Sequence, residues 1–455
     1  MSNAPCDRPA SESQQSAIGR LIALFAAPGT NNLRIAGLAT AVAFLVSVLG
    51  VACASDASQH LTYIEVLKDG EGGVDGLDGA ISVTISPDGR HLYVAGRADD
   101  AMAVFGRDST TGALTMVEIQ RDGRDDVDGL EDVFSVTISP DGRNLYATGR
   151  GEHALAVFSR DSTTGALTFV EVHKDGLAGV DGLGEAVSSA ISPDGKHLYV
   201  AGRADDAIAV FGRDPTTGGL TFVEIQRDGT DGVEGLHDTV SVDVSPDGKH
   251  VYAAGQLDDA VAVFIRDSIT GSLAFVEVHT YGVGGVDGLN GATSVTVSPD
   301  GRHVYATGGS DKVRSPGESP LSSASLDRPD AVTVFSRDSA SGTLAFMEVQ
   351  RDGIGGVDGL FIVHSVTISP DGNHLYAAGG GDDAVAVFSR DSATGSLTFI
   401  EKRQDFVGGV DGLDGAISLV VSPDNKYLYS VGVRDNAVAV FSVASPTPSG
   451  AEDHE

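Results

Sequence analysis

The sequence predicts an all-β protein, a seven-bladed β-propeller with four-stranded blades whose ring is closed by an N-terminal outer strand. Three observations support this fold: a Ser-Pro-Asp turn recurs seven times, each repeat holds four strand-like runs, and the two ends of the repeat array complement each other. The turn begins at Ser86, Ser139, Ser192, Ser245, Ser298, Ser369 and Ser422, at a spacing of 53 residues that is lengthened once by 18.

The four runs of a repeat have the composition of β-strands. In the second repeat they are Phe134–Ile138, Asn144–Thr148, Ala154–Ser159 and Ala166–Val172, here called strands A, B, C and D. They alternate in period two, are rich in β-branched residues and are separated by Gly-rich or Asp-rich segments. Because no segment keeps a helical period, the repeats predict blades made of strands alone.

The two ends of the array predict how the ring closes. Residues 61–66 have the pattern of a D strand with no A, B or C strand before it, and Ala437–Val443 that of a C strand with no D strand after it. The first segment is therefore expected to complete the last blade, which removes an exposed sheet edge. This places the propeller at residues 55–443, with an insertion at about 309–329 and a disordered acidic tail at 444–455.

Residues 1–54 predict an export signal or a membrane anchor. Arg34 precedes an uncharged apolar run, Ile35–Ala54, whose last three residues, Ala-Cys-Ala, are typical of the end of a signal peptide. The run is close to the length of a membrane span, so membrane attachment through residues 35–54 is an alternative to cleavage, and lipidation of Cys53 is a third. We expect an exported protein that is periplasmic, at the cell surface or secreted.

The chain is strongly acidic, with 30 Lys and Arg residues against 64 Asp and Glu and a formal net charge of −34. This charge disfavours nucleic acids and anionic membrane surfaces as partners, because their phosphates would be repelled. It favours a cation, a basic partner or a solvated surface, and we expect a monomer that meets an extracellular or periplasmic ligand or protein. Its two cysteines, Cys6 and Cys53, both precede the propeller, which therefore has no internal disulfide.

Carboxylates recur in the connections from strand D to the next strand A. Antiparallel strands place these connections and the B–C loops on one face of the disc, around the channel entry, where we expect function. Carboxylates interleaved with glycine can supply oxygen ligands to calcium, whereas solvated structural turns are the alternative. The candidate metal ligands, all within Val-Asp-Gly-Leu motifs, are Asp75, Asp128, Asp181, Asp287, Asp358 and Asp411.

The repeats differ most from one another just before and at the start of strand A, at the channel mouth. His237, Asp238, His364, Glu131 and Asp132 lie there and are candidate general bases or metal ligands. Relaxed constraint on a surface loop is the alternative explanation of this divergence.

Arginines supply a second asymmetry on the same face. Arg97, Arg150 and Arg203 share one B–C loop position in three neighbouring blades, and Arg434 lies one residue further along in the blade that closes onto the first. Together they are expected to form an arc that holds an anionic group by forked hydrogen bonds. Local ion pairs with neighbouring Asp and Glu residues are the alternative.

Several repeats resemble a known family. The run Ser-Pro-Asp-Gly-Lys-His-Leu-Tyr-Val-Ala-Gly at 192–202 is similar to the repeat of the lactonase-type seven-bladed propellers, whose namesake is 6-phosphogluconolactonase. So are Asp-Ala-Val-Ala-Val-Phe-Ser-Arg-Asp at 383–391 and Thr-Gly-Ser-Leu-Thr-Phe-Ile-Glu at 394–401. The resemblance spans about residues 60–443 and rests on strand and turn positions. It implies the propeller fold and, as an activity, lactone hydrolysis.

Two functional hypotheses follow. The first, which the near-identity of the blades favours, is a binding or surface scaffold whose acidic loop face engages a cation, a basic partner or a polymer. The second is a lactone hydrolase in which the arginines orient a sugar lactone at the channel mouth and a histidine or carboxylate activates water. The sequence contains no motif of a catalytic triad, a phosphate-binding loop or a zinc site.

Overall fold

The computed structural model describes residues 59–309 and 330–444. The predicted export or anchor region, residues 310–329 of the predicted insertion and residues 445–455 of the predicted tail lie outside this range. All regular structure in the described residues is β-strand. Correspondingly, the described part of the chain contains no helix long and apolar enough to cross a membrane.

Twenty-eight strands make up the described residues. In chain order they are β1 (Leu61–Lys68), β2 (Ala80–Ile85), β3 (His91–Gly96), β4 (Ala101–Arg107), β5 (Leu114–Arg121), β6 (Val133–Ile138), β7 (Asn144–Gly149), β8 (Ala154–Arg160), β9 (Leu167–Lys174), β10 (Ala186–Ile191), β11 (His197–Gly202), β12 (Ala207–Arg213), β13 (Leu220–Arg227), β14 (Thr239–Val244), β15 (His250–Gly255), β16 (Ala260–Arg266), β17 (Leu273–Thr280), β18 (Ala292–Val297), β19 (His303–Gly308), β20 (Ala331–Arg337), β21 (Leu344–Arg351), β22 (Val363–Ile368), β23 (His374–Gly379), β24 (Ala384–Arg390), β25 (Leu397–Gln404), β26 (Ala416–Val421), β27 (Tyr427–Gly432) and β28 (Ala437–Val443).

These strands form seven antiparallel four-stranded sheets arranged as a seven-bladed propeller. Blades 1 to 6 each consist of four consecutive strands, beginning with β2–β5, whereas blade 7 combines β26, β27 and β28 with β1. Leu61 pairs with Val443 at one end of the β1–β28 ladder and Lys68 pairs with Ala437 at the other. The first strands of neighbouring blades contact one another all around the ring, including β2 and β26. The predicted closure of the ring by the N-terminal strand is confirmed.

The core lies between the blades. Strands B and C are covered on both faces by adjacent sheets, so that Tyr93 of β3 and Phe105 of β4 are fully buried, as are their counterparts in the other blades. Burial of each such side chain stabilises the fold by about 1.5–3 kcal/mol. Strand D is outermost and is the least buried of the four, with exposed side chains only in its first half.

A buried arginine joins each of six blades to its neighbour. Arg160, the last residue of β8, donates from Nε to Tyr93 Oη at 2.6 Å, from Nη1 to Gly142 O at 2.9 Å and from Nη2 to Asp88 Oδ2 at 3.1 Å. Its Nη2 also lies 2.7 Å from His91 Nδ1. The equivalent arginines are Arg107, Arg213, Arg266, Arg337 and Arg390. The tyrosines and histidines that recur at these repeat positions therefore have a structural role, and the arginine that ends strand C is a buried interblade residue.

The A strands line the central channel and begin with an irregularity. In β2 the pairing register shifts between Ala80 and Ser82, and every other A strand has the same shift. As a result Ile81 and Ser82 both face the channel mouth, where a regular strand would turn one of them away. Regular alternation then resumes, so that Thr84 lies on the same face of the strand as Ser82.

Candidate functional site

The channel mouth holds a cavity of about 270 Å³ on the face formed by the B–C loops and the D-to-A connections. Its floor is a ring of seven serines, one from the start of each A strand, and its wall includes the residue that precedes each serine. The serines are Ser82, Ser135, Ser188, Ser241, Ser294, Ser365 and Ser418, and the preceding residues are Ile81, Phe134, Val187, Val240, Thr293, His364 and Ile417.

The wall of this cavity is polarised. The residue that follows each B strand differs sharply between the two halves of the ring. From blade 1 to blade 7 this position holds Arg97, Arg150, Arg203, Gln256, Gly309, Gly380 and Val433. The three arginines and the glutamine line the cavity, so blades 1 to 4 present long polar side chains and blades 5 to 7 leave space.

A carboxylate holds two of the arginines in place. Asp132 accepts a hydrogen bond from Arg97 Nε at 2.5 Å on one oxygen and from Arg150 Nε at 2.6 Å on the other. The Arg150 guanidinium also stacks over the ring of Phe134, 5.4 Å from its centroid. Among the described residues, the Nη groups of Arg97 and Arg150 have no hydrogen-bond partner. Asp132 therefore orients two guanidinium groups whose outer donors remain available to an anionic ligand.

The third arginine is fixed in the same way by the next candidate carboxylate. Arg203 donates from Nε to Asp238 Oδ1 at 2.5 Å and from Nη2 to Oδ2 at 3.3 Å. Burial raises the pKa of Asp238 above its ordinary value, and the adjacent Arg203 opposes this shift. Three guanidinium groups thus share two carboxylates at one side of the cavity, within a chain of net charge −34.

His364 lies across the cavity from the arginines, in blade 6, as the second residue of β22. The glycines that follow strand B in this blade make room for it. A Cβ atom at Gly380 would lie 2.8 Å from His364 Cδ2, and one at Gly381 would lie 2.5 Å from Phe361 Cδ1. Ile362 also adopts a φ of 52°, which is strained for a β-branched residue. Phe361, Ile362 and His364 thus fill the space that side chains at positions 380 and 381 would need.

Three sequence candidates neither line the cavity nor contact the arginines that do. The His237 side chain is half exposed at the rim, and its Nδ1 lies 3.9 Å from Asp258 Oδ1. Glu131 is exposed and packs against Gly151. Arg434 donates to Asp383 Oδ1 at 3.2 Å and to Asp414 Oδ1 at 3.0 Å. The structure therefore brings together Arg97, Arg150, Arg203 and His364, with Asp132 and Asp238 behind the arginines.

Five of the six candidate metal ligands belong to groups of three carboxylates. Within each group the nearest oxygens lie within 4.8 Å of one another; the groups are Asp69, Asp75 and Asp99; Asp122, Asp128 and Glu152; Asp175, Asp181 and Asp205; Asp352, Asp358 and Asp382; and Asp405, Asp411 and Asp435. The sixth candidate, Asp287, pairs with Arg351.

Each of these groups already contains a basic side chain. Lys68 Nζ lies 2.7 Å from Asp411 Oδ1 and 3.5 Å from Asp435 Oδ1. The corresponding residues of the other groups are Arg121, Lys174, Arg227 and Lys402. These ion pairs support the structural alternative for the acidic rim, and calcium binding stays a prediction.

The carboxylates of the B–C loops accept hydrogen bonds from backbone N–H groups. Asp99 Oδ2 accepts the backbone N–H of Asp78 at 3.1 Å within blade 1. Asp100 Oδ1 accepts the N–H of Asp132 in blade 2 at 2.7 Å. Equivalent bonds recur around the ring and fix the loops that carry the arginines. The site is therefore rigidly positioned by residues that do not face it.

Two features of the site escaped the sequence reasoning. Gln256 occupies the same repeat position as the three arginines, and alignment of the seven repeats at that position would have identified it. The serine ring is identical in every repeat, so it carries no asymmetry to mark it as functional. Its place on the channel floor follows from the shift in register at the start of strand A.

Comparison with known proteins is consistent with this architecture. The family model described as "Lactonase, 7-bladed beta-propeller" matches residues 45–126, 181–282, 242–411 and 356–450. The chain is 23% identical to the 6-phosphogluconolactonase of Klebsiella pneumoniae (strain 342) over 303 residues, which is 66% of this chain and 78% of that protein.

Solved structures show the same fold. A putative 6-phosphogluconolactonase from Bacteroides uniformis ATCC 8492 superimposes with a TM-score of 0.55 at 22% identity, covering 71% of this chain and 84% of that one. The periplasmic gluconolactonase PpgL of Pseudomonas aeruginosa gives a TM-score of 0.54 at 21% identity, covering 71% and 85%. Because the family model matches well over half of the chain, this protein belongs to the family of seven-bladed β-propeller lactonases.

Proposed function

We propose that this protein hydrolyses a lactone at the channel mouth. The observation that carries the proposal is the polarised cavity, in which Arg97, Arg150 and Arg203 face His364 across a floor of serine hydroxyls. A relative that is 23% identical is named a 6-phosphogluconolactonase, which supports the same activity. The scaffold hypothesis has less support, because it gives no role to a histidine and three arginines that line one cavity.

Each group has a defined role in the proposed reaction. The arginine Nη groups bind the anionic or oxygen-rich part of the substrate and stabilise the oxyanion that forms when water adds to the carbonyl carbon. His364 takes the proton of the attacking water and returns it to the ring oxygen as the acyl C–O bond breaks. The product is an open hydroxy acid, whose carboxylate the arginines also accommodate. Asp132 and Asp238 are positioning residues that hold the arginines.

The test is hydrolysis of D-glucono-1,5-lactone and its 6-phosphate, followed by acid release at constant pH. His364→Ala is expected to lower kcat by about 10²–10⁴-fold, the range typical of a lost general base. Arg150→Ala is expected to raise KM more for the phosphorylated lactone than for the neutral one. Arg90→Ala, an exposed arginine in the A–B turn of the opposite face, serves as a control and keeps wild-type kinetics.

The two candidate histidines allow a sharper comparison. His237→Ala removes a histidine at the rim, outside the cavity, and is expected to leave kcat unchanged. Loss of activity in His237→Ala with full activity in His364→Ala would overturn the assignment. If the wild-type protein hydrolyses neither lactone, the proposed function itself is wrong.

We also propose that the enzyme works outside the cytoplasm. The support is the apolar run at residues 35–54 and the structural likeness to a gluconolactonase described as periplasmic. Fractionation of cells that produce the full chain tests this, with the protein expected in the periplasmic, surface or medium fraction. The monomeric state, an extracellular protein partner and calcium binding stay predictions.

A further inference from the structure

Gln256 is an unusual residue in the cavity wall. It follows β15 in blade 4, at the repeat position that carries arginine in blades 1 to 3, and only 1% of its surface is exposed. Its backbone N–H donates to Asp238 O at 3.0 Å. Its side-chain Oε1 is buried and has no hydrogen-bond partner among the described residues. An unpartnered buried amide oxygen destabilises a fold, so its presence calls for a ligand or a function.

The groups around Gln256 are mainly donors. The serine hydroxyls of the floor accept backbone N–H groups from the next blade, as Ser188 Oγ does from Val242 at 3.3 Å and Ser241 Oγ from Val295 at 3.1 Å. Their own O–H groups therefore remain as donors to the cavity. The arginines are donors only, and the oxygens of Asp132 and Asp238 accept from them.

A ligand hydroxyl in this cavity thus finds donors easily but needs an acceptor for its own proton. Gln256 lines the cavity, and its buried Oε1 is an acceptor that no described donor uses. Rotation about the terminal torsion of the side chain turns the amide oxygen toward the cavity without displacing the backbone. Desolvation of this oxygen makes the fit selective, because a substrate without the hydroxyl leaves it unpaired.

We propose that Gln256 is a specificity-determining residue that accepts a hydrogen bond from a hydroxyl group of the bound lactone. The enzyme therefore selects hydroxylated lactones over unsubstituted ones of the same ring size. This inference rests on the proposed function, since it concerns the same cavity. In this arrangement blade 4 recognises a hydroxyl group of the substrate, blades 1 to 3 bind the anionic part of the substrate, and blade 6 carries the general base.

The test compares D-glucono-1,5-lactone, which carries hydroxyls, with δ-valerolactone, which has none. In Gln256→Leu, which replaces the amide with a shorter apolar side chain, the ratio of kcat/KM for D-glucono-1,5-lactone to that for δ-valerolactone is expected to fall about tenfold to a hundredfold. The value for δ-valerolactone is expected to stay within about twofold of wild type. Gln226→Leu is the matched control: Gln226 lies on outer strand β13, where its Nε2 donates to Glu224 and Leu273, and the ratio should not change.

The melting temperature distinguishes a role of Gln256 in substrate specificity from a purely structural role. Gln256→Leu removes an unsatisfied buried oxygen and is expected to melt at or above the wild-type temperature. A drop in melting temperature with equal losses for both lactones would overturn the proposal.

Failure of the inference is distinguishable from failure of the proposed function. Binding of D-gluconate, the open product, is measured by calorimetry for wild type and Gln256→Leu, and the dissociation constant is expected to rise at least about tenfold in the variant. If the wild-type protein hydrolyses no lactone, this binding measurement still decides the role of Gln256. An unchanged ratio or an unchanged dissociation constant refutes it.

Discussion

At the residue scale, Gly380 determines whether blade 6 can carry a histidine in the cavity wall. Blades 1 to 3 have arginine at this position, and a Cβ atom here would lie 2.8 Å from His364 Cδ2 and 3.0 Å from its Nε2. The two residues are therefore coupled: the histidine ring occupies space that the side chain of residue 380 would need. Blade 6 therefore combines a histidine on strand A with a glycine after strand B, because a side chain at residue 380 would meet the ring.

Substitution Gly380→Arg restores the residue of blades 1 to 3 and is expected to displace His364. The fold should be kept, since three blades accommodate arginine here, whereas kcat for lactone hydrolysis should fall about 10²–10⁴-fold. Val433→Arg, at the same position of blade 7, where the A strand carries Ile417, is the control and should keep its activity. Full activity of Gly380→Arg, measured together with an unchanged melting temperature, would show that the ring position of His364 is unimportant.

A second single residue, Asp243, is expected to make the stability of the fold depend on pH. It lies on the same face of β14 as the cavity-lining Ser241, where four other blades have threonine. Its Oδ1 accepts the N–H of Val244 at 2.7 Å, and its Oδ2 accepts that of Val297 in the next blade at 2.9 Å. Burial raises the pKa of Asp243 from 3.8 to about 6, although these hydrogen bonds oppose the shift.

The raised pKa of Asp243 predicts a loss of stability as pH rises. The folded state holds the proton of Asp243 more tightly than the unfolded state does. The stability that this protonation contributes is therefore full below pH 3.8 and is lost as pH passes 6. Asp243→Thr, which introduces the residue of four other blades, should gain about 2–3 kcal/mol relative to wild type between pH 4 and pH 7. Urea unfolding at both pH values measures this difference, and a pH-independent difference would contradict it.

At the element scale, the closing strand differs from its counterparts in how it meets blade 6. Val443 of β28 stands where the other C strands end in an arginine such as Arg107. His60, just before β1, takes over part of this role: its Nε2 lies 2.8 Å from Tyr376 Oη, and its ring lies 4.2 Å from that of His374. The ring is thus closed by two histidines whose rings pack at an angle of 41°, where six other interfaces have a buried guanidinium.

This closing interface is expected to weaken in acid. Burial, and then the neighbouring His374, lower the pKa of His60 from 6.5 to about 4, so protonation favours the unfolded state. Stability should fall by about 3 kcal/mol as pH drops from 6.5 to 4 and then level off. The double variant His60→Ala, Val443→Arg introduces the residues of blade 1 and should lose less stability over this range, as measured by urea unfolding.

The control for the closing interface is His173→Gln, which introduces the glutamine of other D strands away from the closing interface. Its acid sensitivity should equal that of wild type. If the double variant and the control lose stability equally, His60 is not the group that weakens the ring.

The strands were predictable because each of them recurs in every repeat. The site was harder to predict, because it depends on residues that differ between the repeats. The predicted D strand Ala166–Val172 is Leu167–Lys174 in the structure, a shift of one or two residues that leaves the topology intact. Arg434 was placed with the arginine arc, yet its position one residue further along directs it to Asp383 and Asp414. His364 and His237 could not be ranked, because the bulge at the start of strand A decides which residues face the channel.

At the scale of the whole molecule, the acidic surface is balanced locally. The chain has a net charge of −34, but each group of three carboxylates includes a lysine or arginine that comes from strand D of the same blade. These partly exposed pairs are individually weak, and their effect is to relieve repulsion among closely spaced carboxylates. Because the basic side chain occupies the place that a cation would take, added calcium should change the melting temperature of the wild-type protein little.

The carboxylate group at the ring closure, formed by Asp405, Asp411 and Asp435, gives the sharpest test of this local charge balance. Asp405 is 6% exposed, its Oδ2 has no hydrogen-bond partner among the described residues, and nearby Asp435 and Asp411 help burial to raise its pKa. Lys68→Met removes the ammonium that offsets this repulsion, so the variant should melt at a lower temperature. Millimolar calcium should restore part of the loss, since carboxylate oxygens are its preferred ligands, whereas sodium chloride of equal ionic strength should not. A wild-type protein that responds to calcium as strongly as Lys68→Met would instead mean that lysine and calcium do not compete, and that the acidic rim binds the metal in its native state.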